Sequence, residues 1–259
     1  MRERMAPEET STSKATSYAV SVGLIVERAA FVQVIQSRLD GHEFDWVDVD
    51  SGIRLGTCRG RRIAVAACAC APPCAIRLEQ LKKVYQAEQV IRIGTCGGLQ
   101  PTQRVGEIVV ATEAIRGEGT SACYVEAGWP ATADFGLTHS FEQALIQRGM
   151  AHHIGTVWST DGRYVESDEA TQRYSELGVL AIDMESSALF VVGRLRGVRI
   201  ASVGIISDLP INDLGQQVKG MKTRADFQNT VMPVVDQVVD LCLEVSLGAN
   251  AKDASVAGP

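Results

Sequence analysis

The chain has 259 residues, of which 46% are hydrophobic, and its 31 acidic and 25 basic residues give a formal net charge of −6. Such a chain can bury one large α/β core, whereas the acidic balance and the lack of a long basic run exclude the electrostatic pattern of a nucleic-acid-binding protein. The apolar runs are too short to span a bilayer, and residues 1–17 lack the hydrophobic core of a signal peptide. We therefore expect a cytoplasmic protein without nucleic-acid or membrane partners.

The seven cysteines are odd in number, and four lie in or near one apolar segment, namely Cys68, Cys70, Cys74 and Cys96. This usage fits reduced thiols better than a disulfide framework. Neither a second cysteine pair nor a His-x-x-x-His pattern accompanies the three closely spaced cysteines. We therefore expect buried thiols here and no bound metal.

The two ends of the chain, residues 1–17 and 248–259, are small and polar in composition. That composition predicts disordered tails. No internal repeat or linker interrupts the sequence between them. The sequence therefore predicts one domain over residues 18–247.

Within that domain, apolar runs alternate with segments whose apolar residues recur at helical spacing, which predicts an α/β fold. Predicted strands cover residues 18–25, 44–55, 61–69, 90–93, 106–114, 154–159, 180–184 and 199–207. Predicted helices cover residues 27–39, 75–86, 135–148, 185–195 and 225–245.

The first junction between a strand and a helix carries the pair Glu27-Arg28. An arginine and the free amides of a helix N-terminus can together receive an anion. A solvent-facing ion pair between the two side chains is the alternative.

The segment 90–99, VIRIGTCGGL, combines an apolar run with Arg92, Thr95 and several glycines. It predicts a buried strand that stops at residues 94–98, where glycines let the backbone turn sharply. A cation, a hydroxyl and exposed N–H groups at one strand end would form an anion site. A tight turn with a satisfied arginine is the alternative.

Two further strand ends carry acidic residues. At Asp183-Met184-Glu185, carboxylates can accept both hydroxyl protons of a vicinal diol and the methionine can cover a sugar's apolar face, although acids are also favoured in any first helical turn. Asp208 ends the last strand, where open parallel sheets place their ligands, and an Asx turn is its alternative interpretation. Together these strand ends predict an α/β enzyme with one site along one edge of the sheet.

Four ordered motifs then carry a resemblance: IRIGTCGGL (91–99), EGTSACYVEAGWPATADF (118–135), IDMESSALF (182–190) and VGIISD (203–208). With them the chain resembles the nucleoside phosphorylase family of uridine phosphorylase, hexameric purine nucleoside phosphorylase and the methylthioadenosine nucleosidases. The resemblance implies a single-domain α/β/α sandwich with a mixed, partly barrel-like central sheet flanked by helices. It also implies a homo-oligomer, either a dimer or a hexamer.

The resemblance implies a pentosyltransferase that cleaves the N-glycosidic bond of a ribonucleoside with inorganic phosphate as co-substrate and without a cofactor, to give free base and ribose 1-phosphate. The residues that it implies are Arg28, Arg92, Gly94 and Thr95 for phosphate, Met184 and Glu185 for ribose, Arg163, Tyr164 and Asp208 for the base, and Asp208 and Arg92 for catalysis. Arg163 stands where the family usually stacks an aromatic residue on the base, and a surface arginine is its alternative interpretation.

Three alternatives stay open within this resemblance. Nucleosidases of the superfamily hydrolyse their substrates and typically lack a charge at the position of Arg92, so Arg28 and Arg92 favour phosphorolysis. Asp208 favours a purine-type base, whereas residues 118–135 look most like uridine phosphorylases. A noncatalytic nucleoside-binding member is the third alternative.

The chain departs from the family pattern in two loops and in one arginine. A Gly-Asp-Pro-x-Arg type loop after the first strand is replaced by the segment 23–28, GLIVER, and a glycine-rich turn is replaced by CACAPP at 68–73. The arginine that a neighbouring subunit lends to phosphate has Arg54 as its candidate.

Overall fold

The computed structural model describes residues 19–163, 167–210 and 224–248. The strands are β1 (Val22–Val26), β2 (Trp46–Asp48), β3 (Ile53–Cys58), β4 (Arg61–Ala67), β5 (Gln89–Gly98), β6 (Ile108–Gly117), β7 (His152–Thr160), β8 (Ala181–Asp183) and β9 (Arg199–Asp208). The helices are α1 (Ala29–Gln36), α2 (Ala71–Lys83), α3 (Phe135–Gln147), α4 (Asp168–Glu176), α5 (Ser186–Arg196) and α6 (Met232–Leu247). A 3₁₀ turn covers Ser121–Cys123, and a short helical turn (Arg224–Asp226) and a π-helical turn (Phe227–Val231) precede α6.

The strands form one mixed sheet in the order β2-β3-β4-β1-β5-β8-β7-β6-β9, and β9 also pairs with β5. That extra pairing is parallel, whereas β5 with β8 and β6 with β9 are antiparallel. It closes β5, β8, β7, β6 and β9 into a ring, from which β1, β4, β3 and β2 extend as an open arm. The predicted α/β fold with a mixed, partly barrel-like sheet is therefore confirmed.

Helices cover both sides of the sheet. One apolar cluster contains Phe31 of α1, Phe141 of α3 and Val238 of α6, and a second contains Leu78 of α2 and Phe190 of α5. All residues of β1 and of β5 are buried, as expected for central strands that are covered on both faces. Among the described residues, none of the helices combines the length and apolar character that a membrane span requires.

The prediction that the strand stops at Gly94 is wrong, because β5 continues to Gly98. Its last residues pair with Ile182 and Ala181 of β8 and with the end of β9, so distant strands supply the hydrogen bonds that a loop would lack. The glycines serve close packing rather than turning. A Cβ on Gly94 would lie 2.5 Å from Nη2 of Arg92, and one on Gly97 would lie 2.9 Å from the side chain of Ile182.

Other elements differ from the sequence prediction at their ends. Residues 44–55 form parts of two antiparallel strands, β2 and β3, with Gly52 in the turn at φ +68°. Helix α2 begins at Ala71, because the two prolines that follow occupy its first turn.

Helix α4 was not predicted. The predicted tail over residues 1–17 lies outside the described residues, as does the predicted C-terminal tail beyond Gly248.

Candidate active site

The candidate site lies where the carboxyl ends of β1, β5 and β9 meet. These strands are mutually parallel around β5, so Glu27 follows β1 at the same edge at which β9 ends in Asp208. Strand β8 runs antiparallel to β5, with Ile182 opposite Gly97. The chain after β8 therefore runs back along β5 and brings Asp183 and Glu185 to this edge.

Arg92 lies at the centre of the site, with only 3% of its surface exposed. Its Nη2 donates to Oε2 of Glu185 at 2.6 Å and to the carbonyl oxygen of Thr95 at 3.1 Å, and its Nη1 lies 3.6 Å from Oδ2 of Asp183. Burial disfavours the cation, but the carboxylates of Glu185, Asp183 and Glu27 outweigh it and hold the pKa of Arg92 above its ordinary value. A buried positive charge is thus paired on two sides.

Glu185 stands between β8 and α5 and is 4% exposed. Its Oε2 accepts from Arg92 and, at 3.3 Å, from the backbone N–H of Met184, while its Oε1 accepts from the backbone N–H of Cys70 at 2.7 Å. Burial raises the pKa of this carboxyl despite the neighbouring Arg92 cation. Both oxygens therefore have fixed positions, and the half-buried Met184 adjoins them.

Asp183 accepts from two serine hydroxyls, one of which contacts a third serine. Its Oδ1 accepts from Oγ of Ser159 at 2.6 Å, and its Oδ2 accepts from Oγ of Ser186, which in turn lies 2.7 Å from Oγ of Ser202. These serines come from β7, α5 and β9. The network fixes the position of Asp183, the second carboxylate that faces Arg92.

Cys70 is a site residue that sequence analysis assigned only to the buried thiols. Its backbone has φ +68° and ψ 153°, a conformation that glycine adopts readily and other residues rarely, and its N–H points to Glu185. The departure from a glycine-rich turn at 68–73 was the signal that could have revealed it. Its neighbours Cys68 and Cys74 are free thiols with their Sγ atoms 3.3 Å apart.

Glu27 is the second residue that sequence analysis did not assign to the site. Its Oε2 accepts from both the backbone N–H and the hydroxyl of Thr95, at 2.5 and 2.6 Å, and its Oε1 accepts from Nε of Arg28 at 3.1 Å. Burial alone would raise the pKa of Glu27, but the hydrogen bonds from Thr95 and the charges of Arg92 and Arg28 lower it. The contact follows from the register of β1 against β5, in which Val26 pairs with Ile93, and no single stretch of sequence displays that register.

The remaining predicted residues lie around this centre. Arg28 precedes α1, and its guanidinium lies 4.6 Å from the ring centroid of Phe227. Asp208 accepts from Oγ of Ser207 at 2.6 Å at the end of β9. Arg163 is exposed.

Tyr164 lies outside the described residues. The structure thus brings Arg28, Arg92, Gly94, Thr95, Met184 and Glu185 together, with Asp208 on the strand beside them. Within the described parts of the chain, no group of three or more His, Cys, Asp or Glu side chains is arranged to hold a metal ion.

Comparisons with known proteins identify the family of the chain. A family model described as "Phosphorylase superfamily" matches residues 18–244. The guanosine phosphorylase of Halorubrum lacusprofundi is 32% identical over 178 residues, which cover 69% of this chain and 70% of that protein. The DeoD-type purine nucleoside phosphorylase of Geobacillus kaustophilus is 31% identical over 199 residues, covering 76% of this chain and 79% of the relative.

Proteins named uridine phosphorylase also match. The uridine phosphorylase of Treponema pallidum is 34% identical over 168 residues, covering 61% of this chain and 62% of the relative. The crystal structure of uridine phosphorylase from Vibrio fischeri superposes with a TM-score of 0.77 at 28% identity, covering 90% of this chain and 93% of that one. The family resemblance that the four motifs indicated is confirmed, and the chain belongs to the phosphorylase superfamily.

Proposed function

We propose that the chain is a nucleoside phosphorylase, which transfers a ribosyl group from a nucleobase to inorganic phosphate. The observation that carries this proposal is the buried Arg92, which donates to Glu185 and to the carbonyl oxygen of Thr95, a residue whose own amide and hydroxyl are hydrogen-bond donors. The nucleoside phosphorylases among the relatives support it. A cation and hydrogen-bond donors for an anion thus adjoin an oriented carboxylate that suits a sugar diol.

The charge that develops during the reaction assigns a role to each of these residues. A phosphate oxygen attacks the anomeric carbon of ribose, the N-glycosidic bond breaks, and its electron pair passes to the base. Positive charge grows on the sugar ring, which the phosphate anion and the Glu185 carboxylate stabilise electrostatically. Arg92 and Thr95 hold the phosphate, and Glu185 accepts from the ribose hydroxyls while Met184 covers the apolar face of the sugar.

Asp208 is the residue that we assign to the leaving base. A base that departs with an extra electron pair needs a proton or a strong hydrogen bond, and general acid help of this kind contributes about 10²–10⁴ in rate. This role suits a purine-type base, and Arg163 and Tyr164 would complete the base pocket. Uridine is the alternative, because two solved structures that superpose on the chain are of the uridine phosphorylase from Vibrio fischeri.

The proposal includes phosphate as co-substrate, no resident cofactor and a homo-oligomeric enzyme. Arg54 on β3, whose Nη1 donates to the carbonyl oxygen of Gly52 at 3.4 Å, is the residue that a neighbouring subunit would lend to phosphate. Sedimentation equilibrium tests the oligomer, with a dimer or a larger assembly as the expected result.

One assay tests the reaction itself. Purine and pyrimidine ribonucleosides are incubated with the enzyme in the presence and absence of inorganic phosphate, and free base and ribose 1-phosphate are measured by chromatography. We expect base release to require phosphate and to be faster with a purine nucleoside. Equal release without phosphate would mean hydrolysis, and nucleoside binding without turnover in either condition would mean a noncatalytic binding protein.

A further inference from the structure

The donors that would receive an external anion at this site are already engaged by carboxylates of the chain itself. Oε2 of Glu27 accepts both the amide and the hydroxyl of Thr95, and its Oε1 accepts from Arg28. Arg92 is engaged by Glu185 and Asp183. Glu27 therefore stands in the place that the phosphate of the proposed reaction needs.

We propose that the Glu27 carboxylate is an internal occupant of the phosphate site, and that inorganic phosphate binds by displacing it from Thr95. This inference rests on the proposed function in taking phosphate as the external anion. It concerns a residue that has no counterpart in the implied set of phosphate ligands, and it identifies Glu27 as a determinant of phosphate affinity.

The hydrogen-bond geometry shows why both anions cannot be bound at once. The N–H and the O–H of Thr95 converge on one carboxylate oxygen at 2.5 and 2.6 Å, which is the arrangement that a single phosphate oxygen would require. One oxygen can occupy that point. A phosphate that takes these two charge-assisted hydrogen bonds must remove Glu27 from them.

The charges lead to the same conclusion. The site pairs two guanidinium groups, those of Arg28 and Arg92, with three carboxylates, those of Glu27, Asp183 and Glu185. A phosphate dianion added to this set would face an excess of negative charge at a poorly solvated place, where like charges repel strongly. Displacement of Glu27 toward solvent takes one of the three carboxylates away from Thr95 and Arg92, which reduces that repulsion.

The surroundings of Glu27 give the displaced carboxylate a partner. Arg28 is the more exposed member of the pair, at 39% of its side-chain surface against 11% for Glu27. A carboxylate that swings away from Thr95 toward solvent can therefore keep its hydrogen bond to Nε of Arg28. The exchange costs the protein its bonds to Thr95 but leaves no isolated charge behind.

Titration calorimetry with inorganic phosphate tests the inference directly on the full chain. The variants are Glu27→Ala, which removes both the charge and the occupying group, and Glu27→Gln, which removes the charge but keeps the volume. We expect Glu27→Ala to bind phosphate about tenfold more tightly than the wild type or better, and Glu27→Gln to lie between them. Glu88→Ala is the matched control, because Glu88 is exposed beside the opposite end of β5, and its phosphate affinity should equal that of the wild type.

The opposite outcomes are equally specific. The inference is overturned if Glu27→Ala binds phosphate no more tightly than the wild type, or if none of the four proteins binds phosphate. Thermal unfolding of each variant establishes that the proteins compared are folded. The base-release assay separates this result from the proposed function. If Glu27→Ala binds phosphate more tightly but base release does not depend on phosphate, the inference is supported and the proposed function is rejected. If base release depends on phosphate but Glu27→Ala binds phosphate more weakly, the function is supported and the inference is rejected.

Discussion

The ion pair between Arg92 and Glu185 serves to orient the Glu185 carboxylate rather than to stabilise the fold. Taking two charges out of water costs several kcal/mol per ion, which the attraction between them repays only when the geometry is good and the other polar atoms are satisfied. Here Oε1 of Glu185 is fixed by the N–H of Cys70, and Asp183 neutralises the second side of Arg92. The result is a carboxylate that cannot rotate away from the position we assign to the ribose.

Glu185→Gln tests that assignment, because glutamine keeps the size and an acceptor for Cys70 but lacks the charge. We expect kcat/KM for phosphorolysis to fall about 100-fold, as when one preorganised electrostatic group is removed from an active site. We also expect the free energy of unfolding to fall by about 3 kcal/mol, since Arg92 loses its nearer anion. Steady-state kinetics and urea denaturation measure the two effects.

Glu118→Gln is the control for this substitution. Glu118 is another buried carboxylate, which accepts from Oγ of Ser187 and from the backbone N–H of Ser121, both at 2.9 Å. Its loss should lower stability by about 1 kcal/mol with a much smaller effect on turnover. Similar kinetic losses in both variants would show that Glu185 acts through the fold rather than on the substrate.

At the scale of elements, α2 and α5 act as a pair. Each is preceded by a site residue, Cys70 before α2 and Glu185 before α5, and the bond between these two residues ties the helix starts together. Nearer their other ends, Nη2 of Arg196 lies 2.6 Å from Oε1 of Glu79. The pair is therefore joined at two points, with the site at one of them and an ion pair at the other.

The Glu79–Arg196 ion pair predicts a pH dependence of stability. The hydrogen bond from Arg196 lowers the pKa of Glu79, with Lys83 adding to the effect and burial opposing it. A carboxyl with a lowered folded-state pKa contributes stability above its unfolded pKa of about 4.3, and this contribution is lost as pH falls through the folded value. We expect Glu79→Gln to be less stable than the wild type by about 1 kcal/mol at pH 7, with the difference vanishing at acidic pH.

Thermal unfolding from pH 7 to pH 3 measures this difference. Glu43→Gln, at an exposed position outside the helices, is the control and should follow the wild type throughout. A gap between Glu79→Gln and the wild type that persists unchanged at low pH would mean that packing of the side chain, and not its charge, holds the helices together.

A helix or strand could be predicted from sequence wherever the spacing of its own apolar residues shows which of its faces is buried. The apolar runs of β1 and β9 and the helical spacing in α3 and α6 are examples. Helix α4 escaped prediction because it buries only Thr171 and so carries almost no apolar periodicity. The end of β5 was mistaken for a loop, since its hydrogen-bond partners, Ala181 and Ile182 among them, lie more than 80 positions away in the chain.

The residues of the candidate site could be predicted only where a local motif contains them. Arg92, Thr95, Glu185 and Asp208 stand in motifs that a single stretch of sequence displays. The role of Glu27 depends on the register of β1 against β5, and that of Cys70 on a bond to a residue 115 positions later. Long-range register and contacts of this kind leave no periodic trace in the sequence.

On the scale of the whole molecule, closure of the ring brings Asp208 to the site. The parallel pairing of β9 with β5 runs from Gln89 opposite Arg199 to Gly97 opposite Asp208, with an irregularity just after Cys96. Because β8 and β9 both pair with β5, Glu185 just after β8 and Asp208 at the end of β9 lie on either side of the strand that carries Arg92. The base and the ribose of one nucleoside can thus be contacted from two sides of the same ring.

Asp208→Asn tests whether this closure delivers a catalytic acid. Asparagine preserves the shape and can still form a hydrogen bond, but it cannot donate a proton, so we expect kcat for a purine nucleoside to fall about 100-fold. Phosphate affinity should stay unchanged, because the proposed phosphate contacts lie on β5 and at the start of α1. Asp50→Asn, at an exposed position in the turn between β2 and β3, is the control and should retain full activity. A kcat for Asp208→Asn within twofold of the wild type on purine nucleosides would exclude Asp208 as the general acid and remove the argument for a purine-type base.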